Sequence, residues 1–555
     1  MPRLDYFAPG VYIEEVNRGS RPIEGVGTAI AGFIGFTEAV RGDAELFKPM
    51  LVTTWDQYLE YYAKPGSDGY TDYDAYLPFA VNGWFLNGGG RCWVVSIGTQ
   101  LPGSPPPPPE EVALTISTRA NRPALMFNIK PEEEANGRIV VLINESTPLP
   151  PEDPEAEPPM NTGEFFSIVI GRAGEELERY DNLSMNPDVA PELGTYVATA
   201  LETSEYVTVA DLAQSGTGQP LAKRPGNGQY ELSPPPLVSN PNRFTRDMQG
   251  VRDDRTGIQG ISEIDEVTML ACPDIMRAYQ LGLLDLDQVH GVMELMVSLC
   301  ENAVPNPPNR MVVLDAPPCK GGGDPVPPEQ VKPQHVAQWL SSFNRRSMYA
   351  ALYYPWIRVA NPRNGGRPIT IPPCGHMMGV WARTDETRGV FKAPANEVPR
   401  GVLSLAYETN FREQEMLNPI GINCIRSFPN RGIRIWGART LAEPSDTQWR
   451  YIPVRRLMSY IEKSIELGTQ WVVFEPNDQE LWYRVTRTIS NFLEGIWRQG
   501  ALFGASPAEA FFVKCDASIN TPTSMMLGRL YVEIGVAPVR PAEFVIFRIG
   551  QMTGD

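Results

Sequence analysis

Met311-Val312-Val313-Leu314-Asp315 (MVVLD) is a run of four apolar residues that ends in a carboxylate. Two other segments, 267–271 (VTMLA) and 350–354 (AALYY), have the same near-continuous apolar character. Strands that are apolar at almost every position are typical of parallel sheets with helices on both faces. Residues 283–301 have helical spacing and lie between 267–271 and 311–315. This alternation predicts a doubly wound α/β sheet as the core of the chain.

The first hundred residues indicate further elements of the same kind. Segments 28–35 (TAIAGFIG) and 92–97 (CWVVSI) are predicted to be buried strands. The segments between them, 55–62 and 73–86, have the spacing of helices. We therefore expect this region to form part of the α/β core.

Residues 110–245 differ in composition from the rest of the chain. They are rich in Pro, Glu and Asn and contain short alternating segments such as 138–143 (RIVVLI) and 165–170 (FFSIVI). A run of five prolines at 105–109 precedes them as a stiff connector. We interpret this region as an inserted, mostly β domain on the surface, because insertions of this polarity usually lie outside.

The part after residue 400 has the clearest helical periodicity. One predicted helix has an apolar face, and charged residues lie off that face: the apolar set is Val454, Leu457, Met458, Ile461 and Ile465, and the charged set is Arg455, Arg456, Glu462 and Lys463. Residues 471–474 (WVVF) are predicted to be a short buried strand. Asn477 is then predicted to cap a second helix, with Glu480 in the capping-box position.

Both ends of the chain carry an apolar strand. The last one, 543–549 (EFVIFRI), has bulky side chains on two faces: Phe544, Ile546 and Arg548 on one, Val545, Phe547 and Ile549 on the other. The first is 10–16 (GVYIEEV). Segments 511–515 and 530–537 are also predicted strands. Because such terminal strands need neighbours on their edges, we expect the protein to bind copies of itself.

Six parts are predicted along the chain, in an α/β and α+β multidomain arrangement. They are an extended N-terminal arm (1–25), the N-terminal part of the core (26–105), the inserted β-rich domain (106–250), the α/β core domain (251–400), a C-terminal α+β domain (401–542) and a C-terminal arm strand (543–555).

Charge argues against a general nucleic-acid binder. The chain of 555 residues has 48 basic and 66 acidic side chains, a net charge of −18, whereas phosphate binding needs clustered Lys and Arg. The segment 426–439 (RSFPNRGIRIWGAR) carries four arginines among aromatic residues. It has two interpretations, a stacking surface for single-stranded nucleic acid or a structural strand with one polar face.

Cysteine usage and hydropathy indicate a protein that folds in the cytoplasm. The seven cysteines are odd in number and form no CxxC pair, which favours reduced thiols over a disulfide framework. The opening MPRLDYFAPG has no apolar core of a signal peptide. No run approaches the roughly 20 apolar residues of a membrane helix, so we expect no direct membrane insertion.

The chemistry of catalysis is thinly represented. The chain has three histidines, 290, 335 and 376, and Cys374-Gly375-His376 falls short of the four ligands of a structural zinc site. We interpret that segment as a loop beside the sheet. Asp315, at the end of a buried strand, keeps one alternative open: an α/β hydrolase or transferase with an unrecognised site. Otherwise no catalytic, cofactor or metal site is expected.

Four segments resemble the phage tail sheath family, which includes the sheaths of contractile injection systems. They are 7–15 (FAPGVYIEE), 418–441 with its NPIGIN and RIWGARTL motifs, 451–477 with YIPVRR and WVVFEPN, and 535–547 with GVAP and FVIF. The resemblance covers the first hundred residues and the last 150 well. It does not extend to the 110–245 insertion.

This resemblance implies a structural role and an arm-exchange joint. Sheath subunits of this family stack in helically arranged rings around an inner tube and contract to drive the tube through a target envelope. Their terminal arms add strands to sheets of neighbouring subunits, which assigns inter-subunit strands to Val11, Tyr12, Ile13 and Glu14 and to Phe544, Val545, Ile546, Phe547 and Ile549. The acceptor sheet is expected to include 530–537.

The resemblance also implies the partners. They are other copies of the chain, an inner tube protein, and baseplate and terminator or cap proteins, within a phage tail or a free or anchored injection particle. The C-terminal domain is expected to face the tube, with insertions outward. Arg455 and Arg456 are candidate tube contacts. The alternative is that they pair locally with Glu462 or Glu466.

Overall fold

The structure, a computed structural model, describes residues 22–101, 114–118, 120, 122–130, 139–146, 163–172, 175–213, 220–232, 244–302, 309–320 and 323–546. Residues 22–101 contain β1 (Ala31–Gly35), β2 (Pro49–Val52), α1 (Trp55–Tyr62), α2 (Leu77–Leu86) and β3 (Cys92–Ser96). The following region contains β4 (Leu114–Ser117), β5 (Pro123–Ile129), β6 (Ile139–Glu145), β7 (Phe166–Arg172), β8 (Glu175–Ser184), β9 (Thr195–Tyr196), α3 (Val197–Leu201), β10 (Val207–Asp211), α4 (Pro220–Lys223) and β11 (Gly228–Leu232).

The next part contains α5 (Phe244–Gln249), α6 (Gly257–Ser262), β12 (Met269–Ala271), α7 (Asp274–Gln280), α8 (Leu286–Glu301), β13 (Met311–Asp315), α9 (Pro333–Phe343), β14 (Ala350–Tyr354), β15 (Ile357–Ala360), β16 (Pro368–Ile371), α10 (Cys374–Arg388), β17 (Val402–Leu405), α11 (Phe411–Leu417), β18 (Ile422–Phe428) and β19 (Gly432–Trp436). The last part contains α12 (Ile452–Gly468), α13 (Gln479–Arg498), α14 (Pro507–Ala510), β20 (Phe511–Lys514), α15 (Pro522–Met526) and β21 (Glu533–Val536).

The main sheet has eight strands in the order β19-β18-β14-β13-β12-β1-β3-β2. Its six central strands are parallel, and the two edge strands, β19 and β2, pair antiparallel to their neighbours. Every residue of β1, β12, β13 and β14 is buried. The predicted strands at 311–315 and 350–354 have the bounds expected from the sequence. Because their apolar side chains alternate between two covered faces, no polar position interrupts them.

Helices cover both faces of this sheet, and β1 shows which helices lie where. A Cβ atom built on Gly32 would lie 2.9 Å from Ile261 of α6, whereas one on Gly35 would lie 2.7 Å from Leu77 of α2. Residues 32 and 35 point to opposite faces because side chains alternate along a strand. α10 packs on α2 at close range, since a Cβ on Gly375 would lie 2.3 Å from the carbonyl oxygen of Ala80.

A buried carboxylate ties β1 to the start of α2. Asp274 accepts hydrogen bonds from the backbone N–H groups of Phe36 (2.7 Å), Tyr76 (2.6 Å) and Leu77 (3.3 Å). Burial raises its pKa to about 6, against the opposing effect of these hydrogen bonds. The single side chain therefore joins segments that are more than 190 residues apart in the sequence.

The described residues between 114 and 232 form two sheets with a core of their own, antiparallel except for the short parallel pair of β8 and β9. One sheet has the order β10-β5-β4, and the other has the order β11-β6-β7-β8-β9. Their buried side chains make a separate hydrophobic cluster. The chain enters this region after β3 and returns at Phe244, whose ring stacks on Phe36 at 5.6 Å, just after β1. The region is thus inserted at the carboxyl edge of the parallel strands.

The C-terminal helices lie at the opposite, amino edge of the main sheet. Ile452, at the start of α12, donates its backbone N–H to the Ala438 carbonyl at 3.0 Å, and Arg456 donates to the carbonyl of Thr28, which precedes β1, at 2.9 Å. The apolar face predicted for α12 is buried at Leu457 and Ile461, where it packs with α13 in a third hydrophobic cluster.

Two local predictions in this region are wrong. Residues 471–474 do not form a buried strand: Gln470–Val472 is a short 3-10 helix, and Phe474 is fully exposed. The cap of α13 is Asp478, whose carboxylate accepts from the backbone N–H of Leu481 at 2.8 Å, and not Asn477. Asn477 instead accepts a hydrogen bond from the Trp482 indole at 2.8 Å.

The carboxylate of Asp274 provides a test of the core. Asp274→Ala would leave three buried N–H donors without their acceptor, so we expect the free energy of unfolding to fall by about 3 kcal/mol or more. Urea denaturation followed by circular dichroism measures this change. Asp287, an exposed residue in the first turn of α8, provides the matched control. Asp287→Ala should change the free energy of unfolding by less than about 0.5 kcal/mol. Equal effects of the two substitutions would contradict the role assigned to Asp274.

Candidate functional site

The C-terminal segment leaves the body of the protein after β21. Val539 still donates to the Ala501 carbonyl at 3.0 Å, and Phe503 donates to the Ala537 carbonyl at 2.7 Å. Beyond that point residues 540–546 form no strand in the single chain. Phe544, Val545 and Ile546 are exposed by 70%, 68% and 80%, and Phe547 and Ile549 lie outside the described residues. Three adjacent apolar side chains are thus left uncovered.

Glu543 anchors this segment at its point of departure. Its carboxylate forms a two-pronged ion pair with Arg439 (2.6 Å), accepts from the Asn418 amide at 2.7 Å and accepts from the Tyr451 hydroxyl at 3.0 Å. Partial burial disfavours the charged carboxylate, but the hydrogen bonds from Arg439 and Asn418 outweigh it, and the pKa of Glu543 is lowered. The four side chains therefore fix where the tail begins.

A groove of about 1660 Å³ separates the tail from the body next to this anchor. Its walls include Phe544 and Val545 of the tail, Phe411 of α11 and the segment after α10. Phe411 is itself 66% exposed. The tail therefore stands away from its own subunit immediately beyond Glu543.

The strands β20 and β21 form a sheet of their own. They pair antiparallel, with Phe511 opposite Val536 and Lys514 opposite Glu533. In the part of the chain that the structure describes, this sheet has two strands, so each has one edge that no further strand covers. Two strands alone are marginally stable, and exposed edges accept additional strands. Phe512, on β20, is 53% exposed.

The predicted N-terminal strand at 10–16, with Val11, Tyr12, Ile13 and Glu14, lies outside the described residues. The described chain begins at Pro22, and the next residue, Ile23, belongs to the hydrophobic cluster of the C-terminal helices. A Cβ built on Gly468, at the end of α12, would lie 2.6 Å from the Ile23 side chain.

Arg455 and Arg456 do not present their charges at a surface. Their side chains are 3% and 6% exposed. Arg455 pairs with Glu462 at 3.0 Å and lies over the Trp449 ring, whereas Arg456 pairs with Asp385 of α10 at 2.5 Å. The helix was expected to have a polar face, but α12 is packed between the main sheet and α13, so both of its sides are covered. Local pairing with Glu462, the alternative that the sequence left open, is the arrangement that Arg455 adopts.

The residues of the catalytic alternative are structural in this fold. Asp315 is 4% exposed and accepts from the backbone N–H of Cys374 at 3.1 Å. Cys374 and His376 are buried in the first turn of α10 and not in a loop, which corrects the prediction. Burial raises the pKa of Asp315 to about 7 and lowers that of His376 to about 4. Among the described residues no group of His, Cys, Asp and Glu is arranged to hold a metal ion.

The arginines of 426–439 support a hairpin. Arg426 donates to the Thr409 carbonyl, Arg434 donates to the Asn396 carbonyl, and Arg439 holds Glu543. Because β18 and β19 form an antiparallel pair over this segment, the structural-strand interpretation fits the geometry. The seven cysteines are buried and form no disulfide. Within the described ranges, no helix is long and apolar enough to cross a membrane.

Comparison with known families gives two matches on the second half of the chain. Residues 287–441 match the phage tail sheath protein central domain, and residues 444–551 match the phage tail sheath C-terminal domain. The first region runs from α8 to just beyond β19, and the second contains α12 to β21 and the Glu543 anchor.

Curated relatives match over part of their length. The tail sheath protein of Salmonella phage ViI is 28% identical over 208 residues, which is 37% of this chain and 31% of that protein. A prophage major tail sheath protein of Pseudomonas aeruginosa (strain UCBPP-PA14), described as putative, is 27% identical over 184 residues, 32% of this chain and 45% of that protein. The chain thus spans less than half the length of these relatives.

Solved structures match over the whole chain. The helical sheath of the anti-feeding prophage in the contracted state covers 99% of this chain and 100% of its own, with 23% identity and a TM-score of 0.54. The contracted PVC sheath complex of an extracellular contractile injection system covers 99% of both chains, with 21% identity and a TM-score of 0.53. At these identities the likeness concerns the fold.

The Glu543 anchor gives a measurable prediction. Glu543→Gln removes the charge that Arg439 binds, so the amide of Val539, which is hydrogen-bonded to Ala501 just before the anchor, should exchange about tenfold faster with solvent. In the native chain the lowered pKa of Glu543 means that the anchoring is present at neutral pH and is lost as pH falls through the folded-state pKa. Exchange of the Val539 amide, corrected for its intrinsic rate, should therefore rise below about pH 4.5. Glu533→Gln, on exposed β21, is the control. An unchanged exchange rate at Val539 in Glu543→Gln would contradict the anchor.

Asp315 gives a prediction on pH and stability. A folded-state pKa raised above the unfolded value means that its contribution is greatest at about pH 4 and is lost as pH rises towards 7. Asp315→Asn should remove this loss. The urea midpoint of the variant, relative to that of the native chain, should therefore be higher at pH 8 than at pH 4. Asp287→Asn is the exposed control. The same difference between variant and native chain at both pH values would show that Asp315 is not the titrating group.

Proposed function

Since the chain belongs to the phage tail sheath family, we propose that it is a structural subunit of a contractile sheath. Such a subunit polymerises helically around an inner tube and contracts to drive the tube through a target envelope. The observation that carries this proposal is the pair of consecutive sheath domains at 287–441 and 444–551. The whole-chain similarity to contracted sheaths of injection particles supports it at the level of the fold.

The chain ends supply the joint between subunits. In this proposal the tail with Phe544, Val545 and Ile546, together with Phe547 and Ile549, adds a strand to the β20–β21 sheet of a neighbouring copy. The N-terminal segment with Val11 to Glu14 adds another. The exposure of the tail and the two uncovered edges of the sheet support this arrangement. Main-chain hydrogen bonds hold such a joint with little dependence on side chains. Because each subunit donates its strand to the next one, the contact is head-to-tail and builds an open lattice.

The placement of the two outlying regions supports an orientation. The inserted β domain attaches at the carboxyl edge of the main sheet, and the α12–α13 pair attaches at the amino edge. With the C-terminal domain towards the tube, the insertion faces outward. The proposed subunit is divided into the six parts that the sequence predicts. The proposal does not include Arg455 and Arg456 as tube contacts, because both side chains are buried and form ion pairs inside the subunit.

The proposed partners are other copies of this chain, the inner tube, the baseplate and a terminator or cap protein. A solved relative from the anti-feeding prophage is described as part of a baseplate, which supports that association for this chain. Assembly in the bacterial cytoplasm into a phage tail or an injection particle fits these partners. No catalytic role or cofactor is part of the proposal, and the buried position of Asp315 disfavours the hydrolase alternative.

Truncation of either end tests the joint. Deleting residues 1–18 or 543–555 should leave a folded, soluble protein that does not polymerise, because the donated strand is gone while the cores are intact. Negative-stain microscopy and sedimentation measure polymer formation, and circular dichroism checks the fold. Deleting 544–555, which keeps Glu543, should also abolish polymers. Cylinders formed by any of these truncated chains would refute strand exchange at that end.

A further inference from the structure

The groove beside the tail is larger than a small ligand needs and has an aromatic lining. Its volume is about 1660 Å³, whereas pockets that hold drug-sized molecules have about 300–1,000 Å³. Phe391, Phe411 and Trp436 all line it. Phe411, the first residue of α11, is 66% exposed, so its ring is largely uncovered within the groove. A groove of this size and character suits an extended peptide segment.

Charged side chains of both signs line the same groove. Glu415 follows Phe411 by four residues on α11, so the two share one face of that helix. Arg388, the last residue of α10, and Arg540 of the tail also line the groove, and both are exposed. An occupant that has apolar side chains between a basic and an acidic residue would therefore match this lining.

The described chain ends beside this groove. Glu543 is held to the body of the subunit by its ion pair, and the two residues that follow it, Phe544 and Val545, line the groove. Ile546 is the last described residue. Residues 547–555 (FRIGQMTGD) therefore continue directly from a wall of the groove, and no further length of chain is needed to reach it.

The composition of this segment matches the groove. Its apolar side chains lie between a basic and an acidic residue: Phe547, Ile549 and Met552 are apolar, Arg548 is basic and Asp555 is acidic. A segment tethered at the wall of the groove has an effective concentration on the order of millimolar, whereas a segment of another molecule binds from its free concentration. Before assembly, the chain's own segment is therefore favoured over other occupants.

We propose that residues 547–555 of the unassembled subunit fold back into this groove and cover Phe411. Phe547 and Ile549 are also residues of the strand that the proposed function assigns to a neighbouring sheet. Because one segment cannot be in both places, the groove is an autoinhibitory site with which the β20–β21 sheet of a neighbour competes. The autoinhibitory role rests on the proposed sheath function, whereas the occupancy of the groove does not.

Protection of a thiol in the groove tests the occupancy. The seven native cysteines are buried, and Gln499, at the C-cap of α13, is an exposed residue of the groove. In Gln499→Cys, a bulky maleimide should react about tenfold more slowly than in the same variant without residues 547–555. Leu212→Cys, on the inserted domain and 40% exposed, is the control, and the truncation should leave its rate unchanged.

The thiol experiment has two outcomes that overturn the proposal. One is an equal rate at position 499 with and without residues 547–555. The other is protection that falls when the protein is diluted, because it would identify a second copy of the chain as the occupant. Protection by the same chain does not depend on protein concentration.

The effect on assembly is measured separately by light scattering and negative-stain microscopy. Phe411→Ser, with the tail intact, should form cylinders after a lag about tenfold shorter than that of the native chain, because a larger fraction of the tails is available. Met416→Ser, on α11 but outside the groove and 42% exposed, is the matched control. An unchanged lag in Phe411→Ser would refute the autoinhibitory role. If the native chain forms no cylinders, the sheath function fails, whereas the thiol experiment needs no assembly and still decides the occupancy.

Discussion

The main sheet imposes the constraint on which the rest of the structure depends. Six parallel strands with buried residues on both faces need helices above and below them, so neither face is left for a partner. The further domains of the chain are therefore attached at the ends of the strands. The inserted β domain is attached at the carboxyl edge and the C-terminal helices at the amino edge. This separation gives the subunit two distinct ends.

Charged side chains make the joint between the main sheet and the C-terminal helices. Arg456 and Asp385 are both almost fully buried, and they connect α12 to α10. Removing one partner of such a pair leaves an uncompensated buried charge, which makes the relative position of the two domains specific. Arg455 with Glu462 adds a second charged contact on the same helix. The contact between α12 and α10 is thus polar and buried, whereas the joint proposed between subunits depends on backbone edges.

The sequence predicted the core well because burial on both faces leaves an unambiguous pattern. The strands at 311–315 and 350–354 have the predicted bounds, and helix 55–62 does too. It failed where tertiary packing overrides local pattern. Arg455 and Arg456 were placed off the apolar face as candidate contacts for a partner, since periodicity does not reveal that a helix is covered on a second side. The apolar run 471–474 indicated a strand, but a positive φ at Phe474 and the internal hydrogen bonds of the turn produce an exposed tip. The Glu543 anchor was missed for a different reason: its partners lie 92 to 125 residues away in the sequence.

The proposed joint between subunits combines a backbone contact with a fixed point on the donor. A strand that is added through main-chain hydrogen bonds has a register set by those bonds, with little dependence on side chains. In the proposed joint, Glu543 holds one end of that strand to its own body through Arg439. Any rotation of the donor relative to its neighbour is then confined to the few residues between the anchor and the neighbouring sheet.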